Sequence, residues 1–248
     1  MLQPFKRSFL NIAKRPFGNL RTNCYLAYNS KACLLLDAAD HGDDMMRWVK
    51  LFCPKQEFQL ALTHGHCDHI YAVEHILKYN KKCKLSLSSK EEDLVIVPEY
   101  NYSTFLKRST TLKPVKSRFN FIDHLKTIDI GGDRLHIIET PGHTPGSISY
   151  YYPEGKWVVV GDTVFAGLIG STNHYGGNKK QLVNSIISKI LTLPDDTVIY
   201  PGHGKNSTVK DEKKNPQIIQ FFKKNPPTID QIKVLKEINF KCDEFLQE

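Results

Sequence analysis

A chain of 248 residues with 40% hydrophobic and 24% charged residues is long enough to bury a core and too apolar to remain disordered. No run approaches the roughly 20 apolar residues of a membrane helix. The excess of Lys and Arg over Asp and Glu, 34 to 26, leaves +8, a sign that suits anionic partners and equally a lysine-rich solvated surface.

The first acid is Asp37, and before it come Lys6, Arg7, Lys14, Arg15, Arg21 and Lys31. That bias has the look of a transit peptide. Phe9, Leu10, Ile12 and Phe17, however, lead straight into Cys24-Tyr-Leu-Ala-Tyr28, which reads as the opening strands of the fold. Six cysteines (Cys24, Cys33, Cys53, Cys67, Cys83 and Cys242) form no Cys-x-x-Cys pair and follow no secretory signal. Reduced thiols and a cytoplasmic location are the expectation.

In chain order, strands are expected near 22–28 and 32–37 and a helix near 43–52. A short apolar run, 58–63, ends at Thr63-His-Gly-His-Cys-Asp-His69. The segment 68–79 then carries Ile70, Val73, Ile76 and Leu77 on one helical face. Ser88 and Ser89 ahead of Glu91 and Glu92 have the spacing of a helix-capping box. A basic stretch between Pro98 and Pro114, residues 98–118, reads as a helical or loop insertion over one end of the fold. Strands follow at 119–122 and 134–140, with Gly131-Gly132 as a turn. A hairpin is expected over 148–161, a helix over 179–191 and a strand over 197–200. From 216 onward the pattern is helical, broken at Pro226-Pro227. Each half runs strands first and helices after, which predicts two packed sheets with helices outside. The expected organisation is one unit over 1–215 and a helical extension, 216–248, packed on it.

The histidine cluster carries the chemistry. His64 and His66 alternate on an extended segment, so both imidazoles face one side. Asp68 and His69 follow past the bend. Imidazole and carboxylate at this density suit a divalent ion. Asp68 alone would read as a helix N-cap and a lone His64 as a surface residue; their company changes that reading. Cys67 alternates away and reads as packing. Three later strand ends offer further donors: Thr140-Pro-Gly-His143-Thr-Pro-Gly146, Val158-Val-Val-Gly161-Asp162-Thr, and Ile199-Tyr-Pro-Gly-His203-Gly204.

Taken in order, these motifs resemble the metallo-β-lactamase superfamily, and more narrowly the glyoxalase II-type hydroxyacylglutathione hydrolases, over about residues 8–216. The resemblance implies a four-layer αββα sandwich. It implies two divalent metal ions, one held by His64, His66 and His143, the other by Asp68, His69 and His203, with Asp162 bridging. Asp37 matches an acidic residue that braces the histidine loop from behind the ligands. Zinc is the first expectation, and iron or manganese also fit nitrogen and oxygen donors. His41, His75, His124 and His136 read as surface or packing residues, and His174 stays open.

A water shared between two such ions loses a proton near neutral pH. No Gly-x-Ser-x-Gly elbow competes with it. The expected reaction is hydrolysis of a small anionic thioester resembling an acyl-glutathione, with Asp68 and Asp162 as catalytic carboxylates. Asn173 and Tyr175 are candidate substrate contacts. Ser171 stands where many relatives carry a basic residue, and the tail past Pro216 is short for their glutathione-binding helices. Two other activities fit parts of the pattern. A ribonuclease Z-type phosphodiesterase would use Lys107, Arg108, Lys113, Lys116 and Arg118 along a nucleic acid; nucleic acid ranks behind a small thioester. A mononuclear-iron persulfide dioxygenase would use His64, His143 and Asp162.

Overall fold

In the computed structural model, residues 9–238 and 240 are described. Lys6, Arg7, Cys242 and the end of the expected extension, 241–248, lie outside them. Among the described residues no helix is long and apolar enough to cross a membrane.

The chain opens with strands β1 (Asn11–Phe17), β2 (Thr22–Tyr28) and β3 (Ala32–Leu36), then helix α1 (Gly42–Phe52) and strand β4 (Glu57–Ala61). Helices α2 (Cys67–Ile70) and α3 (Val73–Tyr79), strand β5 (Leu85–Leu87), helix α4 (Glu92–Ile96) and strand β6 (Phe119–Phe121) complete the first half. These six strands form one sheet in the order β1-β2-β3-β4-β5-β6, antiparallel at the β1–β2–β3 side and parallel from β3 to β6.

The second half begins with β7 (Thr127–Ile130), β8 (Asp133–Glu139), β9 (Ile148–Tyr152) and β10 (Trp157–Gly161). The small pair β11 (Val164–Phe165) and β12 (Leu168–Ile169) follows, then α5 (Lys179–Ser185), β13 (Val198–Pro201) and β14 (Ser207–Thr208). Helices α6 (Val209–Lys213), α7 (Pro216–Lys224) and α8 (Ile229–Glu237) end the described chain. The second sheet runs β14-β13-β10-β9-β8-β7.

The alternation of side chains along the central strands builds the layers. On β2 and β3, Tyr25, Ala27, Leu34 and Leu36 point into the core shared by the two sheets, where Tyr150, Tyr152, Trp157 and Val159 meet them. Cys24, Leu26, Cys33 and Leu35 point the other way, onto Met45, Trp48, Val49, Ile76 and Leu77 of α1 and α3. On β10, Val158 and Val160 face outward against Leu182, Ile186, Phe222 and Leu235. Three cores thus separate four layers, the αββα order that the motifs implied. The sheets are also bolted together: Tyr150 Oη donates to Leu62 O at 2.7 Å, Tyr25 Oη to Pro201 O at 2.6 Å, and Ile148 N to Thr63 O at 2.8 Å.

One expectation is corrected and two are borne out in more detail. The helix expected over 68–79 is interrupted: Ala72 N bonds to Ala38 O at 2.9 Å and Ala38 N to His69 O at 2.8 Å, so these backbone groups serve the loop after β3. The helix over 179–191 stays helical only by widening: α5 passes into a π-turn over Ile186–Ile190, with Leu191 N reaching Ile186 O. The 98–118 insertion is built of turns and a 3-10 segment, Lys113–Arg118. Strands β5, β7, β12 and β14 have four residues or fewer, too short for an alternation to show.

Candidate metal centre

Every candidate donor lies just beyond the carboxyl end of a strand on one edge of the sandwich. Asp37 follows β3, His64 to His69 follow β4, His143 sits between β8 and β9, Asp162 follows β10 and His203 follows β13. The loops that leave these strand ends turn over the same edge, so five segments remote in sequence can converge.

They do converge. Donor atoms of His64, His66 and His143 lie within 4.8 Å of one another; so do those of Asp68, His69 and His203, and those of His64, His69 and Asp162. The third group touches both of the others, which puts Asp162 between them: its Oδ2 is 3.7 Å from His143 Nε2 and 3.6 Å from His203 Nε2, and its Oδ1 is 3.5 Å from His69 Nε2. His203 Nε2 stands 3.2 Å from Asp68 Oδ2.

The protein holds each ring by its far nitrogen or flank. His69 Nδ1 lies 2.8 Å from Asp37 Oδ2, and the same carboxylate accepts from Thr63 N at 2.7 Å and Thr63 Oγ1 at 2.8 Å. Asp37 sits at φ 63, a conformation uncommon for a side chain with Cβ, so the loop is held there by these bonds. His143 Nδ1 meets Ser171 O at 2.8 Å, and His203 Nδ1 meets Leu20 O at 3.2 Å. Thr22 Oγ1 donates to Asp68 Oδ2 at 2.6 Å. Nε2 of His64 and of His69 is buried with no hydrogen-bond partner, as is Asp162 Oδ1. Buried polar atoms are rarely left so. His64, His69 and Asp162 form a group whose donor atoms lie within 4.8 Å of one another, and His66 turns Nδ1 to 2.9 Å from His143 Nε2; a cation among them would satisfy the orphaned atoms, and this donor set fits divalent ions.

The electrostatics agree. Burial first, and then the neighbouring imidazoles, hold His64 and His66 well below the usual imidazole range. Burial likewise brings His143 down to about 4. Those three rings are neutral and have lone pairs to give. Burial also opposes charge on His69 and His203, but nearby carboxylates outweigh it: Asp68, Asp37 and Asp162 raise His69, and Asp68 and Asp162 raise His203. The carboxylate-rich half therefore attracts positive charge; a metal ion arriving there would displace protons.

Close backbone approach makes the convergence possible. At Gly161, φ 52, a Cβ would meet Thr63 Oγ1 at 2.6 Å; at Gly202 it would meet Asp162 Oδ1 at 2.0 Å.

Beside the donors opens a cleft of about 360 Å³, lined by His66, Asp68, His143, Ser171, Asn173 and His174, with Leu20, Tyr102, Phe105 and Leu106 as its apolar wall. Asn173 therefore borders the centre. Tyr175 lies elsewhere, stacked on Tyr100 with ring centroids 3.7 Å apart. His174 stands against the cluster, its Nε2 3.3 Å from His143 Nδ1. The expected surface role fits His75, whose Nε2 pairs with exposed Asp43.

Sequence reasoning passed over Thr22 and misread Glu91. Ser88 Oγ does cap Lys90 N at 3.2 Å, but the buried Glu91 carboxylate turns away from a capping box. It accepts from Gly65 N and Gly146 N, both at 2.6 Å, and so ties the His64–His66 loop to the His143 loop. Only a burial signal would have shown this, and Glu91 lies in a polar run that hides it.

The fold and the converging donors define a metallo-hydrolase framework suited to two metal ions. The chain belongs to the metallo-beta-lactamase superfamily, whose sequence profile matches residues 17–203. It is 33% identical over 212 residues to the protein called "Probable metallo-hydrolase YqgX" of Bacillus subtilis (strain 168), covering 84% of this chain and 97% of that one. It is 29% identical over 215 residues to the hydroxyacylglutathione hydrolase GloC of Haemophilus influenzae, covering 83% of this chain and 96% of that one. The crystal structure of BLEG-1 B3 metallo-beta-lactamase superposes with a TM-score of 0.76 at 32% identity, covering 84% of this chain and 99% of that one.

Proposed function

We propose that the protein is a metal-dependent thioesterase acting on a small anionic acyl-thiol of the acyl-glutathione kind. The observation that carries the metal-dependent part is the set of orphaned donor atoms on His64, His69 and Asp162 within the converged cluster. The thioester part is supported by the likeness to GloC and by a cleft open enough to admit a flexible substrate.

His64, His66 and His143 would hold one ion, Asp68, His69 and His203 the second, and Asp162 would reach both. Such a pair supplies, when bound, a water of lowered pKa and polarisation of the carbonyl under attack. The chain's own residues shape what happens around it. Thr22 and His203 hold Asp68 against the cleft. Burial opposes charge on Asp68, but His69, His203 and Thr22 together keep its carboxyl far below the ordinary range. Asp68 is thus an anion at the cleft wall, able to orient the attacking water's proton or the proton bound for the leaving thiolate. Tyr102, Phe105 and Leu106 offer an apolar face beside the scissile bond.

The test is metal analysis of the purified protein combined with turnover of S-lactoylglutathione, an acyl-coenzyme A, a β-lactam and a phosphodiester, each with and without added zinc, iron or manganese. Thioester hydrolysis abolished by chelator is the expected result. Cleavage of the phosphodiester or the lactam alone, or oxygen uptake with glutathione persulfide in place of hydrolysis, would overturn the reading. A metal-replete Asp68→Asn variant with normal turnover would remove Asp68 from the mechanism.

A further inference from the structure

Leu20, at the tip of the β1–β2 hairpin, borders three hollows at once. One is the cleft beside the donors. The second, about 180 Å³, runs along Gly18, Asp40, Asp68 and Arg108. The third, about 440 Å³, is bounded by Lys14, Arg21, Asn23, Gly204 and Lys205 together with Leu20. The charge in the second hollow is already balanced, since Arg108 Nη1 pairs with Asp40 Oδ2 at 2.5 Å. The third is different: it holds three cations, no carboxylate lines it, and among the described residues none of the three enters an ion pair.

The position of this basic pocket relates it to the metal centre. Gly204 and Lys205 directly follow His203. His203 Nδ1 lies 3.2 Å from Leu20 O, so the hairpin tip and the His203 loop are joined where cleft and pocket meet. Lys14 is held in place, with Nζ donating to Gly204 O and to Asn206 Oδ1, each at 2.9 Å. Asn23 Nδ2 donates to Pro201 O at 2.9 Å and Gly204 O at 3.0 Å, which fixes the loop that presents Lys205. Glu212 acts on Lys205 through space without an ion pair, so the cluster on its fixed backbone keeps an excess of positive charge, which favours an anionic ligand.

We propose that Lys14, Arg21 and Lys205 form a subsite for the anionic end of the substrate's thiol portion, a carboxylate or a phosphate, with the scissile thioester at the metal centre on the other side of Leu20. This rests on the thioesterase reading and deepens it. A guanidinium and two ammonium groups suit both anions, so a peptide thiol such as glutathione and a nucleotide thiol such as coenzyme A are the two sources to separate. The apolar wall of the cleft is left for the acyl group.

The experiment compares wild type with Arg21→Ala/Lys205→Ala, leaving the structural Lys14 in place, after circular dichroism and metal content show the variant folded and loaded. Turnover is measured on an acyl-glutathione, an acyl-coenzyme A and the uncharged N-acetylcysteamine thioester of the same acyl group. The ratio of kcat/KM on one of the charged substrates to kcat/KM on the uncharged one is expected to drop about 10–100-fold, through KM, as for loss of charge-assisted hydrogen bonds. The substrate that shows the drop identifies the source. An unchanged ratio for both charged substrates overturns the subsite. In parallel, S-methylglutathione and free coenzyme A are titrated into both proteins by calorimetry. If wild type hydrolyses none of the thioesters, the thioesterase reading fails. The titration then decides the pocket alone: binding weakened at least tenfold in the variant supports it, and equal or absent binding overturns it.

Discussion

Asp37 and Glu91 show how single side chains set up the centre without facing substrate. Asp37 spends both oxygens on Thr63 and His69, so it orients one imidazole and the strand end that bears two others. Groups behind metal ligands typically govern affinity by about 10–100-fold. Asp37→Ala is expected to weaken metal uptake by that order, read by competition with a chromophoric chelator; unchanged affinity would reassign the residue to folding alone. Glu91 is under the opposite tension. Burial pushes its carboxyl up to about 7 against hydrogen bonds from Thr144, Gly146 and Gly65 that favour the anion. Its folded value exceeds the unfolded one, so its stabilising contribution is complete below about pH 4.5 and is lost as pH rises through about 7. Glu91→Ala should therefore be most destabilised relative to wild type near the acid end of that window. Toward pH 8 the gap should narrow by on the order of 3 kcal/mol, because each tenfold gain in proton affinity on folding is worth about 1.4 kcal/mol. Denaturant melts across that range check it, and a gap that widens with pH would show the anion to be the favoured form.

At the scale of elements, the strand ends and the loops that leave them decide where the donors go. The turn after β13 passes so close to Asp162 that only hydrogen fits at Gly202. Gly202→Ala must move either the turn with His203 or the Asp162 carboxylate. We expect a folded protein that binds less than two equivalents of metal, measured by elemental analysis after dialysis against zinc; full occupancy would mean the loops yield without cost to the site. The interrupted α2–α3 segment has a comparable role. Its backbone bonds to Ala38 place His69 beside Asp37, where a continuous helix over 68–79 would spend the same amides internally.

Across the whole molecule, three cores hold two sheets at fixed separation, and the centre lies where both sheets end. The outermost core reaches into the terminal helices: Phe222 and Leu235 are buried with Val158, Ile186 and Ile199. Phe222→Ala should cost about 3–5 kcal/mol, the usual range for removing a large buried ring, as seen in urea midpoints. Ions bound at the centre would tie segments from both halves of the chain. A metal concentration of 100 times Kd is then worth about 2.7 kcal/mol, so chelation is expected to lower Tm and zinc to restore it. A Tm indifferent to chelator would speak against ions held between the sheets.

Much was legible in the sequence itself. The apolar runs at 22–28, 32–36 and 157–161 and the crowding of His64, His66, Asp68 and His69 are local patterns, written within a few residues. His143, Asp162 and His203 could be picked out because each stands with glycine at a strand's end. What the chain alone could not show is which distant surfaces meet. The carboxylate of Glu91 joining two loops, Thr22 against Asp68, Tyr175 stacked away on Tyr100, and the basic pocket behind Leu20 all depend on contacts between segments tens to nearly two hundred residues apart. Periodicity and spacing act through neighbouring backbone; burial, hydrogen-bond partners and uncompensated charge belong to the packed assembly, and only the tertiary structure could decide them.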